Sequence, residues 1–156
     1  MRLIEIFIRT SKNIIYEERY CMGDIVEKFG ENAGKIWRIL EKHGSLTQTE
    51  LMKTAKLHEE EFYTAIGWLA RENKICINDT NFTLGECNLS PNIGNNAGRV
   101  WQLLSNCEDL DVNYIPKLAG VDEKDAYYAL GWLAKEGKVT GKKVIPKKPQ
   151  MQFSLR

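Results

Sequence analysis

An α+β fold, mostly helical and built twice from one unit of three helices and a β-hairpin, is what this sequence predicts. Three observations carry that expectation. The string Gly30-Glu-Asn-Ala-Gly34-Lys-Ile-Trp37 recurs as Gly94-Asn-Asn-Ala-Gly98-Arg-Val-Trp101, and Phe62-Tyr-Thr-Ala-Ile-Gly-Trp-Leu-Ala-Arg-Glu72 recurs as Ala126-Tyr-Tyr-Ala-Leu-Gly-Trp-Leu-Ala-Lys-Glu136. The offset is 64 both times, and 18 of the 46 positions from 30 to 75 are identical in the second copy. All four tryptophans fall into equivalent pairs, Trp37/Trp101 and Trp68/Trp132. Finally, each copy passes from a helical apolar spacing to a two-residue alternation near its end. The chain therefore divides into an extension, 1–22, a first unit, 23–86, and a second unit, 87–156.

Within each unit the elements follow in order. Asp24 and Ser90 suit an N-cap, and Pro91 suits a first helical position. Val26, Phe29, Ala33, Ile36, Trp37 and Leu40 then keep one helical face, as do Leu89, Ile93, Ala97, Val100, Trp101 and Leu104. A short extended piece holds Leu46 or Leu110. Thr47 and Asp111 cap a short second helix, 48–55 and 112–118. Lys56-Leu57 and Gly120-Val121 make a tight turn. His58 and Asp122 precede a third helix, 59–72 and 123–136, with the stripes Phe62, Ala65, Ile66, Leu69 and Ala126, Ala129, Leu130, Leu133. Ile75 and Ile77 alternate into a turn at 79–81 and return through Phe82 and Leu84. Val139 opens the second hairpin, and Met151, Phe153 and Leu155 close it. Helix, short strand, helix, tight turn, helix and hairpin is the order of a winged helix-turn-helix unit, so the predicted fold is two such domains in tandem.

The G-[EN]-N-A-G-[KR]-[IV]-W and A-[IL]-G-W-L-A-[RK]-E strings resemble those of a small prokaryotic winged-helix family of uncharacterised function. The resemblance covers about 23–85 and again 87–155. It implies the fold and a generic expectation of DNA binding, and it brings no known ligand or active site. Members of that family usually carry a single copy, so the duplication is a departure.

Composition narrows the function further. The 156 residues carry 22 Lys+Arg against 21 Asp+Glu, a formal net charge of +1. This excludes a globally basic coat for nucleic acid, and any basic patch must be local. No apolar run approaches the ~18 residues of a membrane span. The apolar start, Met1 to Ile8, carries Arg2 and Glu5 and lacks a signal-peptide core. Cys21, Cys76, Cys87 and Cys107 form no C-x-x-C pair, and His43 and His58 stand apart. The expectation is a reduced, cytoplasmic, non-enzymatic protein with no metal, no cofactor, no membrane partner and no small-molecule substrate.

In a DNA-reading helix-turn-helix the outward face of the third helix meets the bases. In the first unit that face is Glu60, Thr64, Gly67 and Arg71, behind an acidic start, Glu59-Glu60-Glu61, which DNA repels. In the second unit it is Lys124, Tyr128, Gly131 and Lys135, able to contact phosphates but short of bidentate base readers. From Gly137 to Arg156 there are six basic residues and no acid. Lys138, Lys142, Lys143, Lys147 and Lys148 make this second wing a basic finger suited to a phosphate backbone, or a guarded edge. The expected nucleic-acid contacts are thus Lys124, Tyr128, Lys135, Lys138, Lys142, Lys143, Lys147 and Lys148, with DNA as partner. Tyr63, Gly67, Trp68, Arg71, Tyr127 and Trp132 form aromatic-walled notches of the kind that anchor a partner protein or a homodimer. The glycine pairs Gly30/Gly34 and Gly94/Gly98 each cost helix stability, which points to a close neighbour. The alternative function is a protein-interaction or scaffold module without direct DNA contact.

Overall fold

A computed structural model describes residues 24–86, 90–144 and 150–156. The expectations for the extension and for Lys147 and Lys148 lie outside these residues. The first unit consists of α1 (Asp24–His43), β1 (Leu46–Thr47), α2 (Gln48–Ala55), α3 (Glu59–Arg71), β2 (Ile75–Asn78) and β3 (Asn81–Leu84). The second consists of α4 (Ser90–Ser105), β4 (Leu110–Asp111), a 3-10 turn (Val112–Tyr114), α5 (Ile115–Ala119), α6 (Glu123–Lys135), β5 (Val139–Val144) and β6 (Gln150–Leu155). The order is that of two tandem winged helices.

Local chemistry explains most boundaries. Thr47 and Glu50 form a reciprocal capping box on α2: Glu50 N–H donates to Thr47 Oγ1 (3.3 Å), and Thr47 N–H donates to Glu50 Oε2 (2.9 Å). The equivalent of α2 opens as a 3-10 turn, because Pro116 at the start of α5 has no N–H to donate. The turn before each third helix needs a left-handed residue, and Lys56 (φ 55°) and Gly120 (φ 65°) fill it.

Each unit closes with an antiparallel sheet, ordered β1-β3-β2 and β4-β6-β5. Leu46 pairs with Phe82 and Leu110 with Phe153, which seats the two phenylalanines over their own helices. The second wing is longer, with six-residue strands against four in the first.

There are two cores, but they are stitched together. Phe29 of α1 belongs to the core of the second unit, where its ring lies 6.2 Å from that of Phe153. Its counterpart 64 residues on, Ile93 of α4, belongs to the core of the first unit together with Tyr128. Each unit thus lends the other a side chain from the same position of its first helix.

Candidate functional site

The helices expected to read DNA are packed against each other. Among all described elements, α3 and α6 make the most extensive contact. Lys124 meets Tyr63 near their starts and Arg71 meets Glu136 at their ends, so the helices run side by side in the same direction. A Cβ on Gly67 would collide with the carbonyl oxygen of Tyr128, and one on Gly131 with that of Thr64. Thr64 and Tyr128 are equivalent positions, as are Gly67 and Gly131. The contact is therefore isologous: each unit offers the same patch, as in a two-fold dimer.

The rest of the interface repeats that reciprocity. The Arg71 guanidinium lies 5.4 Å from the Trp132 ring, and the Lys135 ammonium 5.2 Å from the Trp68 ring. Arg71 Nε pairs with Glu136 at 2.7 Å, and Lys135 Nζ with Glu72 at 2.5 Å. Lys74 and Lys138 complete the ring on Glu72 and Glu136, at 3.1 and 2.8 Å. Burial works against ionisation of both glutamates. Hydrogen bonds from Lys135 and Lys74 outweigh it at Glu72, and those from Lys138 and Arg71 at Glu136, so both titrate below 4.5. Burial raises the hydroxyls of Tyr127 and Tyr128 well above the ordinary tyrosine range, helped by Glu60 beside Tyr127 and by Tyr63 beside Tyr128.

These positions correct the predicted groove-reading face. Tyr128, expected to point outward to phosphates, is 4% exposed, and Thr64 is 2% exposed. Helical periodicity located the face opposite each core stripe correctly, but that face covers its own copy. Lys124 stays exposed, with its ammonium over the rings of Tyr63 and Tyr128. Lys135 is committed to Glu72 and Trp68. Tyr63, Gly67, Trp68, Arg71, Tyr127 and Trp132 all lie in or beside the contact between the units. Trp68 and Trp132 are half-buried beneath cations rather than standing in an open apolar patch.

On the second wing, Lys138 pairs with Glu136, and Lys142 with Asp109 at 2.6 Å. Lys143 stands in β5.

The paired glycines of the first helices also divide. Gly30 and Gly94 face the Trp68 and Trp132 rings of their own units, a prospective Cβ lying 3.1 and 3.5 Å from them. Gly34 would meet only the tip of Arg38, and Gly98 nothing within 4 Å. A close neighbour thus explains the first glycine of each pair, and the structure gives no reason for the second.

Cys76 corrects the expectation of reduced thiols. It is 7% exposed in β2 and is disulfide-bonded, while Cys107 is free. Among the described residues, no helix is long and apolar enough to cross a membrane, and no group of three His, Cys, Asp or Glu could hold a metal ion.

Sequence reasoning missed Glu72, Glu136 and Asn32. The two glutamates recur at the 64-residue offset, directly after Arg71 and Lys135. Two copies of a cation-anion step at a helix end are what an isologous ion-pair ring needs. Asn32 lies inside the repeated G-x-N-A-G string and is 1% exposed.

A profile for a winged helix-turn-helix domain family (DUF2582) matches residues 25–85 and again 89–145. An uncharacterised protein of Methanocaldococcus jannaschii is 43% identical over 58 residues, which are 36% of this chain and 83% of that protein. Among solved structures, the mRNA-binding domain of elongation factor SelB from E. coli, in complex with SECIS RNA, aligns with 81% of this chain and 98% of its own. The TM-score there is 0.30 and the identity 16%, a likeness too distant to bear on this chain.

Proposed function

Since this chain belongs to the DUF2582 winged helix-turn-helix family in both of its halves, we propose that it binds nucleic acid through the phosphate backbone. The second wing supplies the contacts, and the third helices hold the two units together. The carrying observation is the charge of the last twenty residues: six basic side chains and no acid between Gly137 and Arg156. With α3 and α6 turned onto each other, major-groove reading by either helix is unavailable. Binding of this kind is electrostatic and tolerant of sequence. Lys143, Lys147 and Lys148 are the leading contacts, with Lys142 and Lys138 beside them once they exchange their carboxylate partners for phosphate. Lys124 and Lys135 are secondary, and Tyr128 drops out. DNA as the particular nucleic acid, and a regulatory or architectural role, belong to this reading. So does a cytoplasmic, non-enzymatic protein.

Fluorescence anisotropy with random duplex DNA, single-stranded DNA and RNA, across a salt series, tests it. If the wing neutralises about four phosphates, log K falls against log salt with a slope of roughly −3 to −4. Reversing Lys142, Lys143, Lys147 and Lys148 to glutamate abolishes binding; unchanged binding of that variant removes the proposal.

One observation favours the alternative, a protein-interaction module. The large apolar side chains most exposed among the described residues, Trp101 (43%), Tyr114 (61%) and Leu118 (57%), all belong to the second unit. A partner held there survives the wing reversal and is lost in Trp101→Ala.

A further inference from the structure

The second sheet, ordered β4-β6-β5, has one covered face and one open face. Gly141 and Phe153 pair across β5 and β6, and both are buried. α1 closes over that side, where a Cβ on Gly141 would lie 3.4 Å from Ile25 Cγ2. Side chains alternate along a strand, so Thr140, Lys142, Gln152 and Ser154 stand on the opposite face. All four are half-buried, and the register sets Thr140 against Ser154 and Lys142 against Gln152. Two hydroxyls and an amide thus flank one ammonium, all of them able to donate to phosphate oxygens.

A carboxylate already holds this ammonium. Lys142 Nζ reaches across β6 and donates to Asp109 Oδ2 at 2.6 Å, just ahead of β4. The nearby Asp111 is used differently. Its side chain accepts from the N–H and the Nδ2 of Asn113, at 2.9 and 2.8 Å, and caps the 3-10 turn. Glu108 joins no ion pair among the described residues. The internal repeat shows that the Lys142–Asp109 pair is not a property of the unit. Ser45 stands where Asp109 stands, and Asn78 where Lys142 stands, so the first unit has neither charge. Cation and carboxylate are confined together to the unit that carries the basic wing.

We propose that the open face of the second sheet is a seat for nucleic-acid phosphate, and that Asp109 closes it when no nucleic acid is bound. The inference rests on the nucleic-acid reading above and supplies its regulation. The Asp109 carboxylate marks where an anionic oxygen sits against Lys142. Phosphate takes that place, with Thr140, Gln152 and Ser154 donating to its other oxygens, and Asp109 turns to solvent. The paired side chains are 38% and 43% exposed, so the exchange costs little. A single phosphate gains little by it, whereas a strand that also meets the other wing lysines gains at each further contact.

Fluorescence anisotropy of the full chain with a labelled random-sequence DNA duplex, at low salt, tests this through a double-mutant cycle. The nearly isosteric Asp109→Asn tightens binding about two- to fivefold and leaves the thermal midpoint nearly unchanged. Lys142→Met weakens binding, and in that background Asp109→Asn gains no more than Glu108→Gln does. Glu108→Gln gives a smaller gain, the same in both backgrounds, which measures the effect of bulk charge. Gln152→Ala with Ser154→Ala weakens binding about threefold, and amide NMR shifts on adding the duplex cluster at Thr140, Gln152 and Ser154. No gain in Asp109→Asn, or a gain as large in Lys142→Met, overturns the proposal and leaves the nucleic-acid reading intact. Wild-type affinity in the Gln152→Ala, Ser154→Ala variant does the same. Failure of the unaltered chain to bind, with Asp109→Asn equally inert, overturns both.

Discussion

Glycine behaves differently at each of its helical positions, and the difference is set by what lies over the missing Cβ. In a helix interior, glycine costs about 1 kcal/mol relative to alanine. At Gly98 nothing stands in the way, so Gly98→Ala should raise stability by up to about that amount. At Gly67 and Gly131 a methyl group would enter the backbone of the opposite helix. Overpacking of this kind costs about 1–3 kcal/mol, and here the obstacle is a carbonyl with no rotamer to escape into. Gly131→Ala should therefore lower the urea midpoint although its intrinsic helix propensity improves. A midpoint shift of the same sign in both variants would contradict the packing described here. Asn32 adds a second lesson at this scale: the same asparagine at equivalent positions is bonded in one unit and orphaned in the other, because one neighbour changed from aspartate to glutamate.

At the scale of elements, the repeat supplies its own controls. Lys56 and Gly120 occupy the same left-handed turn, and only glycine does so without steric cost. Lys56→Gly should stabilise the first unit by about 1 kcal/mol, read as a higher thermal midpoint. The paired ends of α3 and α6 give a pH dependence. Glu72 and Glu136 have folded pKa values below 4.5, so their contribution is complete above that value. It is lost as pH falls through their lowered folded values. Urea midpoints should drop as the pH falls below about 4.5. The double variant Glu72→Gln, Glu136→Gln should start less stable and show a flatter profile over that range. The element boundaries were largely legible beforehand: periodicity placed both third helices to within a residue, and the turn at Asp79 and Thr80 follows from its residue types. The 3-10 opening of the second helix in the second unit was less so, because the run Val112 to Leu118 reads as helical until the missing N–H of Pro116 is counted.

For the whole molecule, the two units form a covalent pseudo-dimer. Glycine, tryptophan, cation and carboxylate each meet their partner twice, and Phe29 and Ile93 cross into each other's territory. Such an interface does not depend on the connection between the units. Cutting the chain at a protease site introduced between Glu86 and Ser90 should leave both pieces co-eluting from a sizing column, and adding Gly131→Ala should weaken that association. Separation of the pieces without further mutation would show that the linker, not the contact, holds them.

The sequence by itself determined the unit, its duplication, the order of helices and strands, and the local excess of positive charge at the second wing. These depend on neighbours a few residues apart, where spacing, capping and turn chemistry act directly. Tyr63, Gly67, Trp68, Arg71, Tyr127 and Trp132, which the sequence marked for a partner protein or a homodimer, lie in or beside the contact between the two units of one chain. What covers that face was decided only in three dimensions. An amphipathic helix records that one side meets the core. Its other side reads the same whether it meets DNA, a second protein or its own duplicate, because burial against a distant segment leaves no periodic trace. The tertiary structure assigned Tyr128 to an interior and Glu72 and Glu136 to an ion-pair ring, since each of these depends on two helices lying 64 residues apart in the chain and side by side in space.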